Sequence, residues 1–319
     1  MTIRTLLAAL ACTIAAPLAA QPIVLEVPQV TPVPITAESR PFLYTQEYLD
    51  EVGYVEEEFF ITGMANVYDW TGDDHGVRVV AGPGTYVTRI LVMRPREANA
   101  AGGNVEVTIL NASNNADFGG PTDFARMVAQ RDAWIGITSK PVTVNALKAF
   151  DPVRYAPLDW SNPAPPESRC ARPSIIPTYM VGGQAVLDMM AQAGMLGSWP
   201  ESEDGLIWDM LGQLGLLLKS EQREAIMPGT ATPHVFMTGI SQSSIYLRQW
   251  VAGFHDAYRT ANGQPVYDGY LAIVGPALPR INQCAEDVTL GDPRQQLETP
   301  DVPFISLSAE GEMWQARFT

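Results

Sequence analysis

His234-Val235-Phe236-Met237-Thr238-Gly239-Ile240-Ser241-Gln242-Ser243 runs from a short apolar segment straight into a Gly-x-Ser turn. Beyond it Leu247, Val251, Phe254 and Tyr258 step by three or four along one helical face. Strand, tight turn and helix in that order set Ser241 apart from a chance Gly-x-Ser match. So tight a turn needs small residues two before and two after the serine. Gly239 meets that need fully, and Ser243 meets it less well. The turn predicts a strained backbone at Ser241, with its hydroxyl lifted above the sheet. The start of the following helix presents free amides at the same spot, the Gln242 N–H among them. Ser241 is therefore the candidate nucleophile; the alternative is that its side chain only caps the helix.

The alternation continues on both sides. Tyr270-Leu271-Ala272-Ile273-Val274 and Val302-Pro303-Phe304-Ile305-Ser306-Leu307 read as later strands, nearly all apolar, as a sheet covered on both faces requires. Upstream, Val105–Leu110 and Ala133–Thr138 bracket a helical spacing over Phe124–Arg131, the strand–helix–strand unit of a parallel sheet. Earlier still, residues 58–63 and 86–92 suggest antiparallel strands around a turn-rich segment, Asp69–Gly84, and residues 21–42 an extended arm. The expected class is α/β: a mostly parallel central sheet with helices on both faces. Residues 151–230 interrupt this rhythm with a Pro-rich stretch and two helical segments, about Tyr179–Gly194 and Leu206–Ile226. These form either a lid or scaffold helices packed on the sheet.

Residues 1–20 have the form of an export signal: Arg4, then an uncharged stretch from Leu6 to Ala16, then Pro17-Leu18-Ala19-Ala20 before Gln21. A periplasmic or secreted protein is expected, with residues 21–319 as one domain. No later segment is long and apolar enough to span a bilayer. Losing Arg4 takes the net charge from −15 to −16, which argues against nucleic acid or an anionic membrane as partner. Cys12 would leave with the signal. Cys170 and Cys284 then remain, an even pair for one disulfide in an oxidising compartment. No His-Glu-x-x-His or clustered His/Asp spacing calls for a metal, and no cofactor is expected.

A second oxyanion donor is expected in the loop after Val105–Leu110, near Asn111 or Ala112. An orienting acid is expected past Leu307. Glu312 stands at the appropriate spacing and Glu310 is the reserve, though either can be a solvated loop charge. In a Ser–acid–His order the base comes last, yet His75, His234 and His255 all precede Glu310.

Several of these stretches resemble a bacterial α/β-hydrolase-domain family of exported proteins. They are Tyr54-Val55-Glu56-Glu57-Glu58-Phe59-Phe60-Ile61-Thr62-Gly63, Ala65-Asn66-Val67-Tyr68, Arg89-Ile90-Leu91-Val92-Met93-Arg94-Pro95, Asn104-Val105-Glu106-Val107, Asp151-Pro152-Val153-Arg154-Tyr155, the elbow Gly239–Ser244, and Tyr267-Asp268-Gly269-Tyr270-Leu271. The resemblance covers most of residues 45–312. It implies the α/β-hydrolase fold and an ester-cleaving serine hydrolase acting on a small-molecule ester. Ser241 would be the nucleophile, with an acid in Glu310–Glu312. Glu312 stands where Asp is commoner in that family, and its histidine would lie beyond Thr319. The domain is accordingly expected to be incomplete at its C-terminus. The rival expectation is a catalytically inactive binding protein on the same fold.

Overall fold

The alternating run from residue 54 onward forms the longest pairing in the molecule. Strand β2 (Tyr54–Trp70) pairs antiparallel with β3 (Val77–Pro95), and short β1 (Gln29–Pro32) pairs with β2. The computed structural model describes residues 23–72, 74–170, 189, 199–275, 277–289, 291–310 and 312. The remaining strands are β4 (Asn104–Ile109), β5 (Ala133–Ile137), β6 (His234–Ile240), β7 (Gly269–Ile273) and β8 (Phe304–Leu307). Helices are α1 (Gln46–Asp50), α2 (Phe124–Gln130), α3 (Pro141–Phe150), α4 (Ile207–Lys219) and α5 (Gln242–Gly253).

One sheet holds all eight strands in the order β1-β2-β3-β5-β4-β6-β7-β8. Its first pairings, through β3·β5, are antiparallel; β5·β4, β4·β6, β6·β7 and β7·β8 are parallel. The chain steps from β4 outward to β5, then returns across β4 to β6. Strand order therefore reverses between β4 and β6. In open α/β sheets the crevice outside the C-terminal ends of the strands at such a point is where ligands bind. The loop after β4 and the turn after β6 meet there.

Alternation along β3 shows both faces in use. Ile90 and Val92 join the main core with Leu211 and Leu214 of α4 and Ile245 and Trp250 of α5. Leu91 and Met93 join a second cluster with Met127 of α2 and Trp134. Asp209 fixes α4 to β2: its buried carboxylate accepts from Asn66 N and Tyr68 Oη, both at 2.7 Å, and from Tyr258 Oη. Burial raises its pKa to about 6, and these three donors offset the cost of desolvation.

Three expectations change. The turn-rich segment shrinks to residues 71–76, because β3 already begins at Val77 and runs through Gly82-Pro83-Gly84. The ladder tolerates this interruption with register shifts between Ala65 and Tyr68, and Gly82 supplies a φ of 102°. The helix anticipated at residues 206–226 is shorter: α4 is almost wholly buried and a short 3-10 turn, Glu221–Ala225, follows it. The segment about Tyr179–Gly194 lies outside the described residues apart from Met189. Finally, the late strands are not covered on both faces among the described residues. Phe236, Ile240, Ile305 and Leu307 are exposed on one face while Val235 and Met237 are buried on the other.

Cys170 and Cys284 are joined in a disulfide with Cα atoms 5.2 Å apart. No helix among the described residues is long and apolar enough to cross a membrane.

Candidate functional site

Because β6 ends at Ile240 and α5 begins at Gln242, Ser241 alone makes the turn between them. It does so at φ 57° and ψ −120°, a conformation that costs an L-residue about 1–3 kcal/mol. Both its peptide groups are held. Its N–H donates to Ile273 O at 2.8 Å, and its carbonyl accepts from Ser244 N at 2.9 Å. Gly239 is required by space, since a Cβ there would stand 2.5 Å from Ser243 O. Ser243 itself fits, its side chain buried.

The end of β7 is pressed against this turn. Val274 has φ 49°, unusual for a β-branched residue, and Gly275 follows at φ 82°. A Cβ on Gly275 would lie 2.5 Å from Ser241 O, so only glycine allows the approach. The Gly275 N–H donates to one carboxylate oxygen of Glu312, and Ala309 N donates to the other at 3.0 Å. Glu312 is thereby brought to the elbow through Gly275. Glu310 is exposed and has no side-chain partner among the described residues. Arg248, two turns along α5, donates to Ser306 Oγ and lies 5.6 Å from the Phe304 ring centre. Burial lowers its pKa, and the nearby Glu312 carboxylate raises it.

On the other side stands the loop after β4. The Asn111 N–H donates to Phe118 O at 2.9 Å, inside a two-residue bridge, while its Nδ2 donates to Ile240 O at 2.9 Å. The Ala112 N–H donates to Gln242 Oε1 at 3.0 Å. Sequence reasoning named the Gln242 amide; it missed that the Gln242 side chain ties this loop to the elbow. The backbone N–H of Gln242 occupies the first helical position, where no intrahelical acceptor exists. Behind the loop Lys140 Nζ donates to Ser139 Oγ at 2.6 Å and to Leu110 O at 3.3 Å, and lies 4.2 Å from the centre of the Tyr246 ring. Burial pulls its pKa down to about 7, opposed by Asp117 and Asp204.

The chain has a match among known families. The alpha/beta hydrolase domain matches residues 29–319. The chain belongs to that family.

Solved structures that align with this chain include three at 10% identity. Acetyl xylan esterase 1 from Thermoanaerobacterium sp. aligns over 77% of this chain and 52% of its own, with TM-score 0.36. Candida antarctica lipase A in its closed state aligns over 81% and 43%, with TM-score 0.34. The rice cell wall degrading esterase LipA from Xanthomonas oryzae aligns over 73% and 47%, with TM-score 0.33. This chain thus spans about half the length of the first of them. A search of curated proteins finds no match.

The alpha/beta hydrolase domain keeps its histidines away from Ser241. His234 opens β6 at the strand's opposite end, about 20 Å from the turn at strand rise. His255 lies beyond the far end of α5, and His75 Nε2 meets Arg294 O at 2.9 Å. His75 and His255 line the same small cavity of about 190 Å³ with Asp256, Glu298 and Asp301. No group of three metal-ligating side chains is found among the described residues. The sequence carried one signal for the Gly275 approach, a glycine directly after an apolar strand; nothing in it marked the contact between residues 112 and 242.

Proposed function

We propose that this chain is a carboxylic ester hydrolase in which Ser241 is the nucleophile. The observation that carries this reading is the Ser241 backbone itself. A strained non-glycine residue, fixed at both peptide groups at the start of α5, is what a positioned nucleophile requires. Ser241 Oγ attacks the ester carbonyl as a general base takes its proton, and the resulting oxyanion is stabilised by the Gln242 N–H at the helix start. The Ala112 N–H joins it when the Gln242 side chain turns away; the Asn111 N–H stays in its bridge to Phe118. Collapse expels the alcohol, which takes up that proton, and leaves an acyl-enzyme on Ser241, which water then cleaves to the acid. Glu312, fixed by Gly275 N and Ala309 N, is the orienting acid. None of His75, His234 and His255 acts as the base in this reading.

The substrate is a small-molecule ester, and the protein is exported to the periplasm or secreted, with residues 1–20 as its signal. The Cys170–Cys284 disulfide supports an oxidising compartment. Fluorophosphonate labelling tests the assignment: wild type reacts and Ser241→Ala does not. Equal labelling of both contradicts it. A second reading, a binding protein on the same fold, is favoured by the placement of all three histidines away from the turn. It predicts ligand binding with no covalent labelling at all.

A further inference from the structure

A cavity of about 400 Å³ runs along the first two turns of α3. Its walls are the Asn145 and Lys148 side chains on one side and the segments around Trp160 and residues 199–202 on the other. Its position follows from the sheet. α3 starts where β5 ends, on the same edge as Ser241, and β5 is two strands from β6, about 10 Å at the usual strand spacing. A backbone pair between Val87 and Asp159 anchors the far wall.

The lining combines two kinds of surface. Trp199 is 40% exposed, while Trp160, Val144 and Leu158 give an apolar floor. Trp160 is only 3% exposed, and its indole N–H finds no acceptor among the described residues. That N–H is itself sealed from solvent, so what Trp160 offers the cavity is its ring. At the rim Asn145 and Glu201 are exposed and Lys148 is half-buried. The cavity therefore offers ring surfaces together with polar donors and acceptors of both kinds.

This combination selects among ligand classes. An acyl chain would bury Asn145, Lys148 and Glu201 against hydrocarbon, leaving polar groups unpaired. An anion would meet one lysine but two carboxylates, Asp159 and Glu201. A sugar ring presents an apolar C–H face to an aromatic side chain and a rim of hydroxyls that both donate and accept. We propose that this cavity is a saccharide-binding subsite, taking a sugar unit of the substrate while Ser241 attacks its ester. The link to the ester rests on the reading of Ser241 as the nucleophile; the sugar site itself does not.

Isothermal titration calorimetry of the full chain with cellotetraose, xylotetraose and maltotetraose tests the site by binding alone. At least one tetrasaccharide binds saturably. Trp199→Ala, at an exposed position, and Trp160→Leu, which removes the ring from the floor, each weaken it about tenfold or more. Melting curves establish that both variants are folded. Ser241→Ala binds the sugar as wild type does, so a silent nucleophile and an absent sugar site give different results. No heat with any of the three sugars overturns the proposal. So does binding that both tryptophan variants leave unchanged, or Trp199-dependent binding of octanoate or inorganic phosphate in place of sugar.

Discussion

The two ends of the parallel strands carry different arrangements of polar side chains. At the C-terminal edge, Ser241 sits at φ 57° and ψ −120°, with Glu312 delivered to it through Gly275. At the opposite edge, His255 joins Tyr270 Oη at 2.7 Å through Nδ1 and Asp301 Oδ1 at 2.8 Å through Nε2. That second set is a complete hydroxyl–imidazole–carboxylate chain, and Arg259 secures its carboxylate at 2.8 Å. Yet its hydroxyl is buried, and that burial raises the Tyr270 pKa well above its ordinary value. α5, 12 residues and about 18 Å long, separates the two edges. On the proposed reading of Ser241, hydrogen-bonded order without an exposed, strained hydroxyl makes a brace, whereas strain with open helix amides makes a reactive position.

The comparison can be broken from either edge. Gly239→Ala has the largest effect, because its methyl would stand 2.5 Å from Ser243 O. It lowers stability by about 3 kcal/mol in urea unfolding and disorders the elbow. His255→Ala removes two hydrogen bonds at the other edge. It costs about 2 kcal/mol but leaves the phosphonate labelling rate of Ser241 within about twofold of wild type. A larger change in rate would show that the edges are coupled.

Ser241→Gly sharpens the contrast in the reverse direction. Glycine adopts φ 57° without the Cβ penalty, so thermal unfolding finds this variant about 1 kcal/mol more stable than wild type. No such gain is expected at Tyr270 or Asp301, where the backbone carries no positive φ. The last test is a pH dependence, at Lys140. Its folded pKa of about 7 lies below its ordinary 10.5, so the unfolded chain binds more protons between those values. Stability therefore rises with pH across that window, by less than about 1.4 kcal/mol per unit. Denaturant melts from pH 7 to 10 measure the rise, and Lys140→Met flattens it.

Much of the fold was legible because its signals are local. The apolar run into Gly239-Ile240-Ser241 marked β6, the turn and α5, and the spacing of Phe124, Met127 and Val128 marked the helix between β4 and β5. The β2–β3 ladder was underestimated because Gly82, Pro83 and Gly84 disfavour strand locally, while pairing over most of 17 and 19 residues outweighs them. α3 was overlooked although Pro141 stands at its start, a position where proline loses nothing. The Gln242–Ala112 contact joins residues 130 apart, and the positive φ of Val274 stands next to the glycine that approaches Ser241. Neither leaves a periodic trace in sequence. The exposed stripe of Phe236, Ile240, Ile305 and Leu307 was missed for a related reason: an apolar strand reads the same whether one face or both are covered.

The most direct test of the account is to label the intact chain with a fluorophosphonate and map the modified peptide by mass spectrometry. The account predicts one phosphonylated residue, Ser241, with the label lost in Ser241→Ala and retained in His255→Ala. Modification at Tyr270 or Ser139 instead, or equal labelling of the Ser241→Ala chain, would contradict it.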